Sequence, residues 1–189
     1  MKTIQDLTSI FISDTESLLN DLKIFASYSN EQLNWKPAED SWSIAECIAH
    51  LSVTNRLYFN EFEKQFSQKQ FTTDCSKTLA KHKLISKFII KSVDPSNLKK
   101  VNTFPVFKPA QSNYSKDILE KFSDEQKSFI NLLRSSNNRN LNKYIMSSPA
   151  SKLIKENFCD VLEIIRLHDR RHFNQAQSLL NHTNFPKAR

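Results

Sequence analysis

The chain has 189 residues, a formal net charge of +7 at pH 7 and 14 phenylalanines, but it contains no glycine. This length predicts one domain, residues 1–189, which can bury an apolar core without disulfides. Because hairpin turns, bulges and barrel corners usually need glycine, its absence argues against a β-rich fold and favours helices. The three cysteines form no C-x-x-C motif, and the N-terminal residues do not resemble a signal peptide. We therefore expect a cytoplasmic protein with reduced thiols.

The positive charge is scattered along the chain. Its densest groups are the pairs Lys99-Lys100 and Arg170-Arg171, and no Lys/Arg-rich run of the nucleic-acid-binding kind occurs. No stretch approaches the 18 or so apolar residues of a membrane span. We interpret the charge as a solvated surface and expect neither a nucleic acid nor a membrane as partner.

Apolar spacing predicts four long helices and one shorter helix. The predicted segments are 4–26, 43–66, 76–90, 115–133 and 157–181. Ser43, Ser115 and Asn157 are the predicted N-caps, and Glu46 completes a capping box with Ser43. Residues 30–41 are predicted as a loop, 92–113 as a proline-containing crossover and 144–155 as irregular. The expected fold is all-α, a four-helix bundle with a crossover connection and one extra short helix.

Two histidines four residues apart, His168 and His172, occupy the last predicted helix. Residues at i and i+4 lie one turn apart on the same helix face, which lets two imidazoles bind one divalent metal. Their face is otherwise apolar, where a polar ring must find a partner or lose the free energy of hydration. The spacing alone leaves two interpretations open: metal ligands, or core histidines that are hydrogen-bonded to other side chains.

The segment also invites comparison with the H-E-x-x-H motif of zinc peptidases, with Asp169 in place of glutamate. The aspartate is one methylene shorter than the usual general base. The longer form of the motif has a third histidine ten residues after the first, where this chain has Ser178. We therefore exclude a peptidase of this kind.

Three ordered stretches carry a family resemblance. They are Trp35-Lys36-Pro37 with Ser41-Trp42-Ser43-Ile44-Ala45-Glu46 and His50-Leu51; Phe107-Lys108-Pro109 leading to Ser115; and His168-x-x-Arg171-His172-x-x-Gln175. Together they resemble the DinB-like (YfiT-like) family of metalloenzymes, which are four-helix bundles. By this resemblance the metal ligands are His50, His168 and His172, and the divalent metal is zinc or nickel.

The resemblance implies a metal site more firmly than a reaction. Three neutral imidazoles leave the ion its full charge and at least one open position. Such an ion lowers the pKa of a bound water towards ~7 and ionises a bound thiol. We expect a metal-dependent enzyme that acts on a small molecule, as a hydrolase or as a thiol S-transferase. The alternative is a non-catalytic metal-binding or stress-response module.

Neighbouring residues have two readings each. Gln175 shares the face of His172 and is our candidate catalytic residue, binding a water or the substrate, or it is a polar residue that closes the bundle. Glu46 either orients His50 or serves only as a cap. Arg171 either pairs with a helix carboxylate, which we expect, or touches the substrate.

The remaining candidates are expected to be structural. Tyr58 is predicted as a core aromatic, with the metal site as its alternative contact, and Cys47 and Cys159 as small core residues. His82 and His182 are expected at the surface. Surface phenylalanines are expected to offer a face for a homodimer, and the candidates are Phe59, Phe66 and Phe71.

Overall fold

The structure, a computed structural model, describes residues 2–97, 99 and 102–187, so parts of the predicted domain 1–189 and of the predicted crossover 92–113 lie outside it. The helices are α1 (Ile4–Leu22), α2 (Asn30–Asn34), α3 (Ile44–Gln68), α4 (Leu84–Val93), α5 (Asp117–Arg134) and α6 (Phe158–Ser178). Strands β1 (Ile145–Ser148) and β2 (Ser151–Asn157) pair in antiparallel fashion. None of the described helices is both long enough and apolar enough to cross a membrane.

Four helices form the bundle. Helices α1 and α3 each pack against both α5 and α6, and the shorter α4 packs on the outside of α6. The chain crosses over between α4 and α5, and a 3₁₀ turn (Pro105–Phe107) in this connection packs against α3. The predicted all-α bundle with a crossover and a short extra helix is confirmed. The single-domain organisation of residues 1–189 stays a prediction.

The bundle core is divided into two apolar clusters by a polar layer. One cluster contains Phe11, Phe62, Phe129 and Phe158, and the other contains Phe25, Ile48, Phe122 and Phe173. Between them lie Thr15 on α1, Asn55 on α3, Gln126 on α5 and Asp169 on α6, which we call the polar layer. All four are buried, Asn55 and Gln126 completely. The four bundle helices thus contribute one buried polar side chain each at the same level.

Local capping explains where the long helices begin. The Ser43 hydroxyl accepts from the Glu46 amide at 3.1 Å, and the Glu46 carboxylate accepts from the Ser43 amide at 2.9 Å. Asn157 caps α6 in the same way with Asp160. The predicted Ser115 cap is wrong, because α5 begins after Lys116 without a side-chain cap and the Ser115 hydroxyl donates to the Asp117 carboxylate. Both helices that carry the histidines therefore have reciprocal capping boxes.

Replacing Ser43 by alanine is expected to lower the free energy of unfolding by about 1 kcal/mol, because a buried amide at the start of α3 loses its acceptor. The matched control is Ser115→Ala, which removes no cap and should change stability by less than about 0.5 kcal/mol. Urea unfolding of both variants measures the difference. Equal stabilities of the two variants would contradict this account of α3.

Three predicted segments differ from the structure. The predicted helix 76–90 begins only at Leu84, because the backbone before it pairs with the N-terminal residues: the Ile4 amide donates to the Thr78 carbonyl at 2.8 Å. Residues 144–155, predicted as irregular, contain most of the β1–β2 hairpin. The short helix α2 lies within the predicted loop 30–41. The hairpin forms without glycine, and no described residue has a positive φ.

The predicted surface positions are partly wrong. Phe59 and Phe66 are buried and Phe71 is partly buried against the same apolar cluster, so these phenylalanines do not offer a dimer face. His82 is half-buried, with its Nδ1 atom 3.1 Å from the Asp160 carboxylate. His182 is exposed, as predicted. The core positions of Cys47, Cys159 and Tyr58 are confirmed.

Candidate metal centre

The three predicted metal ligands meet where α3 packs against α6. His50 comes from the second turn of α3, seven residues after the Ser43 cap, and is only 2% exposed. His168 and His172 come from consecutive turns of α6. The structure therefore brings together residues that are 118 positions apart in the chain.

The distances fit one divalent ion. One nitrogen from each ring can be chosen so that all three lie within 4.8 Å of one another. The Nε2 atoms of His50 and His168 are 3.1 Å apart, and the centroid of the His172 ring lies 4.5 Å from the centroid of each of the other two rings. Two nitrogens bound tetrahedrally to zinc at 2.0–2.1 Å would be about 3.3 Å apart. The donor set and its spacing therefore suit a metal such as zinc.

Hydrogen bonds hold two of the rings in the tautomer that a metal needs. The Nδ1 atom of His50 donates to the backbone carbonyl of Phe107 at 2.7 Å, and Nδ1 of His172 donates to the Gln175 side-chain oxygen at 2.9 Å. We assign the protons from these partners, since each oxygen can only accept. Both rings then keep a lone pair on Nε2. Such outer hydrogen bonds fix ring orientation and raise the basicity of the ligand.

Phe107 was not among the residues predicted to serve the site. Its stretch carried part of the family resemblance, but the group that contacts His50 is a main-chain carbonyl, which has no side-chain signature. The crossover supplies this acceptor because its 3₁₀ turn packs against α3. Pro105 and Pro109 did indicate an ordered connection, but they did not indicate what this connection contacts.

Burial keeps the three imidazoles neutral. Desolvation lowers the pKa of His50 to about 3 and that of His168 to about 4, with the charge of a neighbouring group acting in the same direction. The pKa of His172 falls to about 2 for the same reason, assisted by the other two rings. Because metals bind the deprotonated imidazole, no proton has to leave these rings at neutral pH.

The indole of Trp42 forms a wall of the site. Its ring centroid lies 4.7 Å from that of His50 and 5.8 Å from that of His172. Trp42 directly precedes the Ser43 cap, so the capping box also places the indole over the histidines. It is half-buried, as is His172, whereas Gln175 is exposed. The site is therefore most open to solvent beside Gln175.

The other sequence candidates have structural roles. Glu46 caps α3 and pairs with Lys36 at 2.7 Å, and no hydrogen bond joins it to His50. The prediction that Arg171 pairs with a helix carboxylate is wrong. The Arg171 guanidinium donates instead to four backbone carbonyls between residues 92 and 99, including that of Ser92 at 3.0 Å. The carbonyls in and after the last turn of α4 lack intrahelical partners, and the guanidinium satisfies several of them at once.

Replacing Gln175 by leucine is expected to weaken zinc binding by about tenfold, because the Nδ1–H group of His172 loses its acceptor. The effect should lie at the low end of the usual range, since solvent reaches this exposed bond and water can replace the amide. Zinc affinity is measured by competition with a chromophoric chelator. Gln177→Leu, an exposed position on the same helix, is the control, and equal affinities of the two variants would remove Gln175 from the site.

The fold and the three-histidine arrangement define a helical-bundle protein with a possible metal site. The model of the DinB superfamily matches residues 12–176, which is most of the chain and includes all three histidines. The chain therefore belongs to the DinB superfamily. No curated protein and no solved structure matches it.

Proposed function

We propose that this protein is a metal-dependent enzyme that acts on a small molecule at the His50, His168 and His172 site. The observation that carries the proposal is the composition of the donor set. Within the described residues, no carboxylate or thiol joins the three imidazoles as a fourth protein ligand. Structural zinc sites are usually closed by four protein ligands, whereas catalytic sites keep one position for a water or a substrate.

The donor set also limits the metal. Imidazole suits zinc, nickel, iron and copper, whereas magnesium and calcium prefer oxygen ligands. We propose zinc or nickel as the resident ion. The neutral rings leave its positive charge uncompensated by the protein ligands, which favours binding of an anionic or ionisable substrate group.

The bound ion supplies a Lewis acid that lowers the pKa of a water or a thiol. The protein orients the ligands: the Phe107 carbonyl and the Gln175 amide hold two rings with Nε2 turned to the ion. Trp42 excludes water from one side of the site. Since the site is most open to solvent beside the exposed Gln175, a proton released from the substrate has its exit on that side.

Two reactions are consistent with this arrangement, hydrolysis and transfer of a small-molecule thiol. Hydrolysis needs an activated water and thiol transfer needs an activated thiol, and either nucleophile needs the open position. We propose a cytoplasmic setting, where low-molecular-weight thiols are reduced. Neither reaction requires a nucleic acid or a membrane as partner.

Purification without chelator, followed by metal analysis and two assays, tests the proposal. One assay uses activated aryl esters, and the other uses a low-molecular-weight thiol with an electrophilic acceptor. We expect about one zinc or nickel per chain and chelator-sensitive turnover in one assay, with full activity in a His182→Ala control. A chain without metal, or a metal centre closed by a fourth protein ligand, would overturn the proposal and favour a non-catalytic module.

A further inference from the structure

The polar layer contains buried polar atoms that have no hydrogen-bond partner among the described residues. They are Oδ1 of Asn55, both amide atoms of Gln126 and Oδ1 of Asp169. Buried polar groups are hydrogen-bonded in the great majority of cases, and leaving one unsatisfied costs about 1–3 kcal/mol. Several such atoms at one level of the bundle are therefore best explained by ordered water, which commonly satisfies groups of this kind.

The metal centre has an unsatisfied atom beside this layer. Nδ1 of His168 is buried and has no partner in the part of the chain that the structure describes, in contrast to the Nδ1 atoms of His50 and His172. A histidine that binds a metal through one ring nitrogen almost always donates the other N–H to an acceptor. The third ligand therefore lacks the outer contact that the other two possess.

The carboxylate of Asp169 is a candidate acceptor. Its Oδ1 atom lies 3.8 Å from Nδ1 of His168, too far for a direct hydrogen bond, and it too has no partner. The other carboxylate oxygen, Oδ2, is held by the Asn55 amide at 2.8 Å. Asp169 is thus fixed on the α3 side, with its free oxygen near the histidine.

Asp169 also lines a partly open cavity of about 260 Å³ between α1 and α6, together with Thr15, Pro95 and charged residues such as Arg166, whereas His168 is not part of its lining. One water occupies about 30 Å³ of liquid volume, so the cavity holds several. A water about 2.8 Å from each of two atoms can bridge a separation of 3.8 Å.

We propose that an ordered water bridges Nδ1 of His168 and Oδ1 of Asp169, and that Asn55 and Asp169 are positioning residues for the third metal ligand. The water accepts from the His168 Nδ1–H group and donates to the carboxylate. Asn55 holds the carboxylate, the carboxylate holds the water, and the water fixes the ring with Nε2 turned to the ion. This inference rests on the metal site of the proposed function.

Substitutions in the layer test the positioning role. We expect Asp169→Ala to weaken zinc binding by about 10- to 100-fold. Asp169→Asn should remain within about threefold of the wild type, because its amide oxygen still accepts from the water while Asn55 turns its own amide to accept the new N–H group. Thr54→Val is the matched control, since it removes another unsatisfied buried hydroxyl on the same turn of α3 and should leave zinc affinity unchanged.

Two measurements on the wild-type protein do not depend on whether a variant folds. A high-resolution crystal structure should show a water within 3.2 Å of both atoms. Nitrogen-15 NMR of the zinc-loaded protein should show a protonated, hydrogen-bonded Nδ1 on His168, with slow exchange of its proton that Asp169→Asn retains. A dry site, or a ring that binds zinc through Nδ1, overturns the inference.

The two proposals fail in different ways. If the wild-type chain does not bind zinc through the three histidines, the proposed function itself falls. If the wild type binds zinc and Asp169→Ala binds it equally well, only the positioning role is wrong.

Discussion

Replacing His50 by alanine is expected to abolish tight zinc binding while the bundle stays folded. Of the three candidate ligands His50 alone comes from α3, and without it two imidazoles on consecutive turns of α6 remain. Removal of an outer contact alone typically costs 10- to 100-fold in metal affinity, so loss of a ligand should cost at least about a hundredfold. The substitution also frees the Phe107 carbonyl, which loses the N–H group that now donates to it at 2.7 Å.

Competition with a chromophoric chelator measures the affinity, and metal analysis of the purified variant provides a second measurement. Circular dichroism establishes that the helices remain. His182→Ala is the matched control, because that histidine is exposed and its ring contacts Trp35 rather than the metal site. Undiminished zinc content in the His50 variant would show that the three rings do not share an ion.

The wild-type protein is expected to lose stability as pH rises, and replacing Glu156 by glutamine is expected to abolish this loss. Glu156 is a completely buried residue of β2, and within residues 2–97, 99 and 102–187 neither of its carboxylate oxygens has a hydrogen-bond partner at good geometry. Desolvation raises its pKa to about 7, and the negative charge of Asp160 acts in the same direction. The hydroxyls of Ser148 and Tyr58 and the ammonium of Lys83 oppose the shift without cancelling it.

The direction of the pH effect follows from proton binding. Because the pKa of Glu156 is higher in the folded chain than in the unfolded chain, the folded state binds the proton more tightly. Its contribution to stability is therefore complete below about pH 4.5 and declines as pH rises towards about 7. A shift of this size corresponds to about 3 kcal/mol, an upper figure because water can relax around the charged group.

Urea unfolding between pH 5 and pH 8 measures this contribution. The Glu156→Gln variant should match the wild type near pH 5 and exceed its stability at pH 8. Glu63→Gln, which replaces an exposed carboxylate on α3, should follow the wild-type pH profile. If the Glu156 variant also runs parallel to the wild type, the carboxyl is not buried as described.

Much of the bundle could be predicted from residues that act locally. The predicted capping box at Ser43, the predicted N-cap Asn157 and the apolar spacing after them placed the beginnings of α3 and α6 within a residue. The same local logic failed at Ser115, where a hydroxyl in the right place donates to Asp117 instead of capping the helix. A cap requires a particular backbone angle as well as a particular residue, and the sequence shows only the residue.

Pairing between distant segments was out of reach. The N-terminal residues next to Ile4 occupy the backbone groups near Thr78 and so delay the start of α4. The β1–β2 hairpin contains no glycine to signal its turn. Its residues Met146, Ser148 and Glu156 are buried by packing against other segments, and this packing is not visible in the local sequence. Arg171 likewise found carbonyl partners on a segment more than 70 positions away.

From the sequence by itself, periodicity and capping determined the helical class, and the resemblance carried by short motifs indicated the superfamily and the three candidate ligands, because all of these are properties of short stretches. The tertiary structure alone decided that His50 meets His168, that the Phe107 carbonyl holds one ring, and that a polar layer lies beneath the site. These contacts join groups from different helices, and several of them use the main chain. Their energy depends on distance in space and on exclusion of water, neither of which is written in the order of residues.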